Sequence, residues 1–280
     1  MANGSDHSRG ILVLGSNGKT GSRIVERLRA SGNDFRMGSR SAMPPFDWND
    51  RMTWPAVLDG IEAAYVAYQP DLCVPGAVDT VTAFFDAADR AGIRNIVLLS
   101  GRGEPDAEEA EKALQRTSID WTIIRASWFF QNFSENYFLD DIRAGHMTLP
   151  DCLAAEPFVD AEDIAEIAAL ALTGNRHCRQ VYEVTGPEAI TFAEAMSVIG
   201  RAVGHEIQFQ TVPMDIYRQA LLDAQLPRDI VDLIVYLFTT VLDGRNTPLT
   251  DGVQRALGRA PRKFSDYAER TAASGVWATG

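Results

Sequence analysis

Cysteine is scarce, at three residues in a chain of 280, and Cys73, Cys152 and Cys178 stand far apart. They build neither a disulfide framework nor a zinc-ligand pattern, so reduced structural thiols are expected. There is no His-Glu-x-x-His run or equivalent cluster, and no metal is expected. Histidine is sparse too: His7 belongs to the N-terminal tail, and His146, His177 and His205 are expected in loops without a serine and an acid at triad spacing, so triad hydrolysis is unsupported. No apolar stretch approaches the ~20 residues that span a bilayer. Met1 to Arg9 is polar and lacks the apolar core of a secretion signal. Positive charge is also short, with 26 Lys and Arg against 38 Asp and Glu for a net −12. That balance opposes a nucleic-acid partner, whose phosphates must be neutralised by cations. The expectation is a cytoplasmic protein, monomer or homodimer, with a small neutral or cationic molecule as its partner and no membrane or nucleic-acid role.

What is present is a large apolar fraction, 46%, arranged as short runs that alternate with helix-length amphipathic stretches. Strands are expected at Ile11–Leu14, Asp34–Met37, Ala63–Ala67, Asn95–Leu99 and Trp121–Arg125, and helices at Gly21–Ala30, Val74–Ala91 and Asp106–Arg116. In the second of these helices, Val78, Val81, Phe84, Phe85 and Ala88 fall at helical spacing. The pattern predicts an α/β Rossmann fold, a doubly wound parallel sheet, over residues 10–150. Beyond it the alternation loosens into helices at Ala161–Leu172, Phe192–Val203, Ile216–Ala224 and Arg228–Leu242, one strand at Gln180–Val184, and a polar tail. Residues 151–280 are expected to form a smaller, mostly helical substrate-binding cap, interleaved with the core and not independent of it.

The first strand runs into Gly15-Ser16-Asn17-Gly18-Lys19-Thr20-Gly21 and then a helix. In that context Gly15 allows a tight turn, Gly18 lets backbone approach a pyrophosphate, and Gly21 permits close helix–strand packing. The helix N-terminus adds unpaired N–H groups and positive potential. Gly18-Lys19-Thr20 matches half of a triphosphate loop, but the other half requires glycine at position 13, where Val13 stands. Nor does an acid follow the second strand to hold a ribose diol: the chain reads Gly38-Ser39-Arg40-Ser41. Arg40, with the Ser39 and Ser41 hydroxyls, suits a 2′-phosphate, so NADP(H) is expected over NAD.

With this loop, Leu98-Leu99-Ser100 and Trp121-Thr122-Ile123-Ile124-Arg125-Ala126-Ser127-Trp128-Phe129, the chain resembles the NmrA-like atypical short-chain dehydrogenases from about residue 10 to 270. Phe46-Asp47-Trp48, the aromatic run from Trp128 to Phe133, and Gly186-Pro187-Glu188 resemble its ergot-alkaloid reductase branch of agroclavine- and festuclavine-type dehydrogenases. That resemblance implies NADPH-dependent reduction of polar double bonds, iminium carbons included, in secondary metabolism. It also implies cofactor contacts after each strand: Ser39 and Arg40, Tyr68-Gln69-Pro70, Ser100-Gly101, and Ala126-Ser127-Trp128 beside the nicotinamide. Ala126 departs from the proline more usual in the family.

None of the seven tyrosines has a lysine four residues on; those positions hold Gln69, Leu72, Asp141, Gly186, Leu221, Thr240 and Thr271. The usual carbonyl-reducing acid is therefore missing. Either hydride goes to an activated carbon such as an iminium, which needs no simultaneous proton, or another donor, Ser100, Tyr68 or Tyr137, completes reduction of a ketone, quinone or enone. Lys112, near the helix position where isoflavone-reductase relatives carry a lysine, is out of register and reads as part of a solvated face with Glu108 and Glu111. Trp128 and Phe129, with Phe133, offer core packing or an apolar wall for a planar substrate. Tyr236 and Phe238 cover that substrate or pack beneath it. The leading reading is a reductase of a small aromatic or polycyclic metabolite; a noncatalytic NADP(H)-sensing regulator and a cofactor-dependent isomerase or epimerase are the alternatives.

Overall fold

The computed structural model describes residues 10–278; the readings of Met1 to Arg9, His7 included, lie outside the described residues. The described chain divides into two compact units, the first comprising residues 10–100, 105–125 and 164–182, the second 101–104, 126–163 and 183–278. Residues 126–150, expected with the dinucleotide-binding half, thus belong to the second unit, and 164–182, expected with the cap, belong to the first.

The first unit is built on a six-stranded sheet. In chain order its elements are β1 (Gly10–Leu14), α1 (Lys19–Ala30), β2 (Phe35–Gly38), a short α2 (Trp54–Leu58), β3 (Ile61–Val66), α3 (Ala77–Ala91), β4 (Asn95–Gly101), α4 (Pro105–Gln115) and β5 (Asp120–Ala126). After β6 (His146–Pro150), which lies outside this sheet, come α6 (Ala161–Thr173) and β7 (Gln180–Val184), with α5 (Leu139–Arg143) preceding β6. The strand order is β2-β1-β3-β4-β5-β7, and β1 runs parallel to both β2 and β3, as β3 does to β4. Strands covered on both faces read as unbroken apolar runs; Leu12, Val13 and Leu14 accordingly have no exposed surface. Chain order reverses between β1 and β3, and in such sheets ligands bind at the carboxyl ends beside that reversal. The glycine loop leaves β1 at that place. The apolar stripe of α3 packs as its spacing predicts, with Val81, Phe84, Phe85 and Ala88 fully buried.

The second unit contains a parallel pair that sequence periodicity did not reveal, β6 with β8 (Gln208–Val212). Both are five-residue segments whose partners lie some sixty residues apart, too short for their alternation to mark them as strands. His146 accordingly opens a strand and is not a loop residue. Helix α7 (Phe192–Val203) begins with a reciprocal capping box between Thr191 and Glu194, which stabilises its first turn. Helices α8 (Met214–Asp223) and α9 (Arg228–Tyr236) follow, and α9 continues as a π-helical turn over Leu237–Val241. The polar tail contains two helices, α10 (Gly252–Leu257) and α11 (Phe264–Ala273), and it buries Phe264, Tyr267 and, beyond α11, Trp277 in an aromatic core with Phe130, Phe133, Phe138, Phe158 and Phe192. Its arginines are not simply solvated: Arg259 and Arg262 are directed at the buried Asp163 and Arg270 at the buried Asp160. No helix among the described residues is long and apolar enough to cross a membrane.

Candidate functional site

In the first unit the glycine loop has the geometry a bound pyrophosphate requires. Gly15 sits at φ +67°, a conformation L side chains rarely adopt, and its carbonyl accepts the Gly18 N–H at 2.8 Å. A Cβ on Gly21 would lie 2.2 Å from the Gly15 oxygen, and one on Gly18 would lie 3.2 Å from it. The loop therefore folds back on the first turn of α1 more closely than any side chain would allow. Gly18, the residue before that helix, provides no side-chain cap, so the first-turn N–H groups keep their capacity for an anion. Ser16 Oγ is buried without a hydrogen-bond partner, and the Gln69 amide lies 3.5 Å from the space beside Gly18. These features fit a dinucleotide pyrophosphate.

Thr20 behaves differently from the rest of the loop. Its Oγ1 accepts the Tyr65 hydroxyl at 2.8 Å, and burial pushes that phenol far above its ordinary range. Thr20 is thus a tie between α1 and β3, its oxygen accepting from Tyr65 while its own O–H is left to donate. At the end of β2, Ser39 and Ser41 have their hydroxyls 3.3 Å apart, and Arg40 between them is exposed. Tyr68, followed by Gln69 and Pro70, packs its ring 5.0 Å from Trp48.

Ser100 is not poised to protonate a substrate. Its hydroxyl donates to Glu111 Oε1 at 2.5 Å, and Glu111 is held in turn by the fork of Arg125 at 2.6–3.0 Å. Glu111 is therefore an interior acid, 1% exposed, and not part of the solvated face assumed for it. Lys112 does lie on that face, paired with Glu109.

In the second unit, the turn that continues β5 carries Ala126, Ser127 and Trp128. The Ser127 N–H donates to the Val184 carbonyl, and the Arg102 N–H to that of Ala126; Gly101 precedes this arginine. Trp128 stands edge-on to Phe192 and Phe238, with ring centroids 5.9 and 5.5 Å away. Phe238 also lines a cavity of about 470 Å³ of mixed polarity, together with Asp151, Cys152, Met214, Thr239, Leu242 and Asp243. Phe129 is partly buried beside this turn, bridged to Val159. Phe133, by contrast, has no exposed surface and packs against Phe138, Phe158 and Phe264, so it is core and not a substrate contact. Tyr236 ends α9 and is not among the residues lining this cavity. Tyr137 is 46% exposed; partial burial and the neighbouring Tyr217 push its phenol up, while burial and Asp141 lift Tyr217 to about 12.

One group at this turn went unrecognised in the sequence. Glu156 is 2% exposed and accepts the Trp128 N–H on Oε1 at 3.4 Å. Burial lifts its carboxyl to about 7, against the opposing pull of that N–H, the Arg102 charge and the Ser127 hydroxyl. Nothing in Ala155-Glu156-Pro157-Phe158 announces an interior acid, because its partners come from segments 28 and 54 residues away.

Comparison with known proteins accords with this geometry. The NmrA-like family matches residues 7–269. The chain is 28% identical to the NAD(P)H azoreductase of Xenophilus azovorans, over 94% of this chain and 98% of that one. It is also 28% identical to festuclavine dehydrogenase of Aspergillus fumigatus, over 93% and 97%. The triphenylmethane reductase of Citrobacter sp., solved with NADP(H), shares the fold at TM-score 0.75 and 17% identity, over 94% of this chain and 99% of that one. Since the family's match extends from ahead of β1 into α11 and so covers nearly all of the elements just described, the chain belongs to the NmrA-like family.

Proposed function

We propose that this protein is an NADPH-dependent reductase that delivers hydride to a polar double bond of a small aromatic or polycyclic molecule. The observation that carries the reading is the glycine loop, folded against an uncapped helix where the strand order reverses, with an arginine in place of an acid after β2. Gly15 to Gly21 hold the pyrophosphate. Arg40, Ser39 and Ser41 take the 2′-phosphate, with Tyr68, Gln69 and Pro70 along the cofactor. Ala126, Ser127 and Trp128 meet the nicotinamide end, and Trp128, Phe129 and the Phe238 cavity meet the substrate. The azoreductase and dehydrogenase names of the relatives support redox chemistry.

NADPH supplies the hydride when bound. The chain's own contribution is to hold the acceptor flat against an apolar wall, to exclude water from it and to fix its distance, which is where most of the rate gain in a positioning site arises. The test incubates purified protein with NADPH and, in turn, an iminium, a quinone and an enone, following loss of reduced-nicotinamide absorbance. Oxidation with at least one of the three is expected. Tight NADPH binding with no oxidation of any would replace this reading with that of an NADP(H) sensor.

A further inference from the structure

Residues 242–251, which follow the π-helical turn, contain neither helix nor strand. Together with that turn they nevertheless supply one wall of the cavity, through Phe238, Thr239, Leu242, Asp243 and Gly244. Irregular backbone holds a shape only where its polar groups are tied down, and opens locally where they are not. Thr247 ties one point of the segment to the Ala155 carbonyl at 2.7 Å. The tie nearest the cavity wall is Asn246, which is buried and whose amide donates to two carbonyls, of Val241 at 3.2 Å and of Arg102 at 3.0 Å. The first bond satisfies a carbonyl that the last turn of a helix leaves without a partner. The second fastens that turn to the loop that leaves β4. Arg102 answers with Nη1 to the Asn246 main-chain carbonyl at 2.5 Å and Nη2 to the Pro248 carbonyl at 2.8 Å, while its own N–H goes to the Ala126 carbonyl at 3.2 Å. Gly103 completes the fit: it sits at φ +75°, and a Cβ there would stand 2.5 Å from the Asn246 Nδ2. One chain of hydrogen bonds thus runs from Ala126 through Arg102 and Asn246 to the turn that carries Phe238.

We infer that Asn246 is a positioning residue of this site, fixing the Phe238 wall of the cavity relative to the turn at Ala126, Ser127 and Trp128, and so setting the distance between acceptor and nicotinamide. The inference rests on the reductase reading, in which that turn meets the nicotinamide end and the cavity meets the acceptor, and it adds the residue that sets their spacing. Asn246 is not among the residues lining the cavity; it acts through the backbone of residues 241–244. Transfer between two held reactants is steep in distance, and a misplacement of about 1 Å caused far from the chemistry can cost about 100-fold. The glycine loop that holds the pyrophosphate needs no part of this clasp. Opening it should therefore separate two quantities, leaving NADPH binding intact while slowing hydride transfer.

Asn246→Ala removes both donated bonds. Gly103→Ala leaves Asn246 in place and crowds its amide from the other side, so it decides the matter if Asn246→Ala folds poorly. In each variant without cofactor, hydrogen exchange followed by mass spectrometry should speed up about tenfold or more over residues 237–248 and stay at the parent's rate over α11. Fluorescence titration with NADPH should give a dissociation constant within about twofold of the parent's, as for changes at distant sites. Single-turnover oxidation of bound NADPH, by whichever of the iminium, quinone and enone the parent reduces, should slow about tenfold or more. Unchanged exchange over residues 237–248, or a single-turnover rate equal to the parent's, or an NADPH affinity that falls in step with the rate, would overturn the inference. A parent protein that binds NADPH and reduces none of the three acceptors instead sinks the reductase reading, and this proposal with it, whatever the exchange over residues 237–248.

Discussion

At the glycine loop one methyl group decides whether the backbone can close. A Cβ at position 21 would sit 2.2 Å from the Gly15 oxygen and 2.9 Å from the Ser16 Cα, and backbone atoms cannot swing aside as a side-chain tip can. Gly21→Ala should therefore displace the loop, weakening NADPH binding by more than about tenfold and costing about 2 kcal/mol or more in a urea melt. Arg40 acts by a different physics, a charged donor for a group that NADH lacks. Arg40→Ala should cost about 1.5–3 kcal/mol of NADPH affinity, the worth of hydrogen bonds to a charged group, and leave NADH titrations nearly unchanged; equal losses for both would remove the 2′-phosphate assignment. Glu156 predicts a pH dependence of stability. Its folded carboxyl titrates at about 7 against an ordinary 4.5, so the folded state keeps a proton that the unfolded chain releases, and stability must fall as pH rises between those values. The difference amounts to about 3 kcal/mol. Glu156→Gln should flatten the slope of melting temperature between pH 5 and 7.5, and be the more stable protein above pH 7.

Elements show how far local pattern carries. The strands ending at Leu14, Gly38, Val66, Gly101 and Ala126 and the helices on α1, α3 and α4 are legible because buried parallel strands are continuous apolar runs and their covering helices have a 3.6-residue stripe. Helix α7 matches its expected bounds because Thr191 and Glu194 announce its start. By contrast, α10 and α11 hide among Arg255, Arg259, Arg262 and Arg270, charges that look solvated until their partners are known. Asp163, with no exposed surface, receives two of those guanidinium groups and the Arg262 N–H, tying the start of α6 to the segment before α11. Asp163→Ala would leave the Arg262 N–H without its acceptor, while the two guanidinium groups, about a third exposed, can turn to water, a change on the order of 1–3 kcal/mol. Denaturant unfolding followed by tryptophan fluorescence should register it, because Trp277, bonded to the Phe133 carbonyl at 2.7 Å, reports on α11; an unchanged midpoint would mean the pairing contributes nothing net.

For the molecule as a whole, cofactor binding to the folded chain alone must stabilise it by mass action, about 2.7 kcal/mol at a hundred times the dissociation constant. For a chain of this size that raises the melting temperature by a few degrees, and NADPH should do so at concentrations where NADH does not. Composition, the spacing of apolar runs and the glycine triplet determine by themselves the parallel sheet and the tight turn that opens α1, because each depends on residues within about thirty positions of one another. Only the tertiary structure decided that the Ser100 hydroxyl donates its hydrogen bond to Glu111, that Thr20 is turned toward Tyr65, that Phe133 is core, and that Glu156 is buried beside Ser127. Those four outcomes depend on which distant segments meet, since a hydroxyl or carboxyl takes its role from the donors and the dielectric around it, and no run of neighbouring residues encodes that environment.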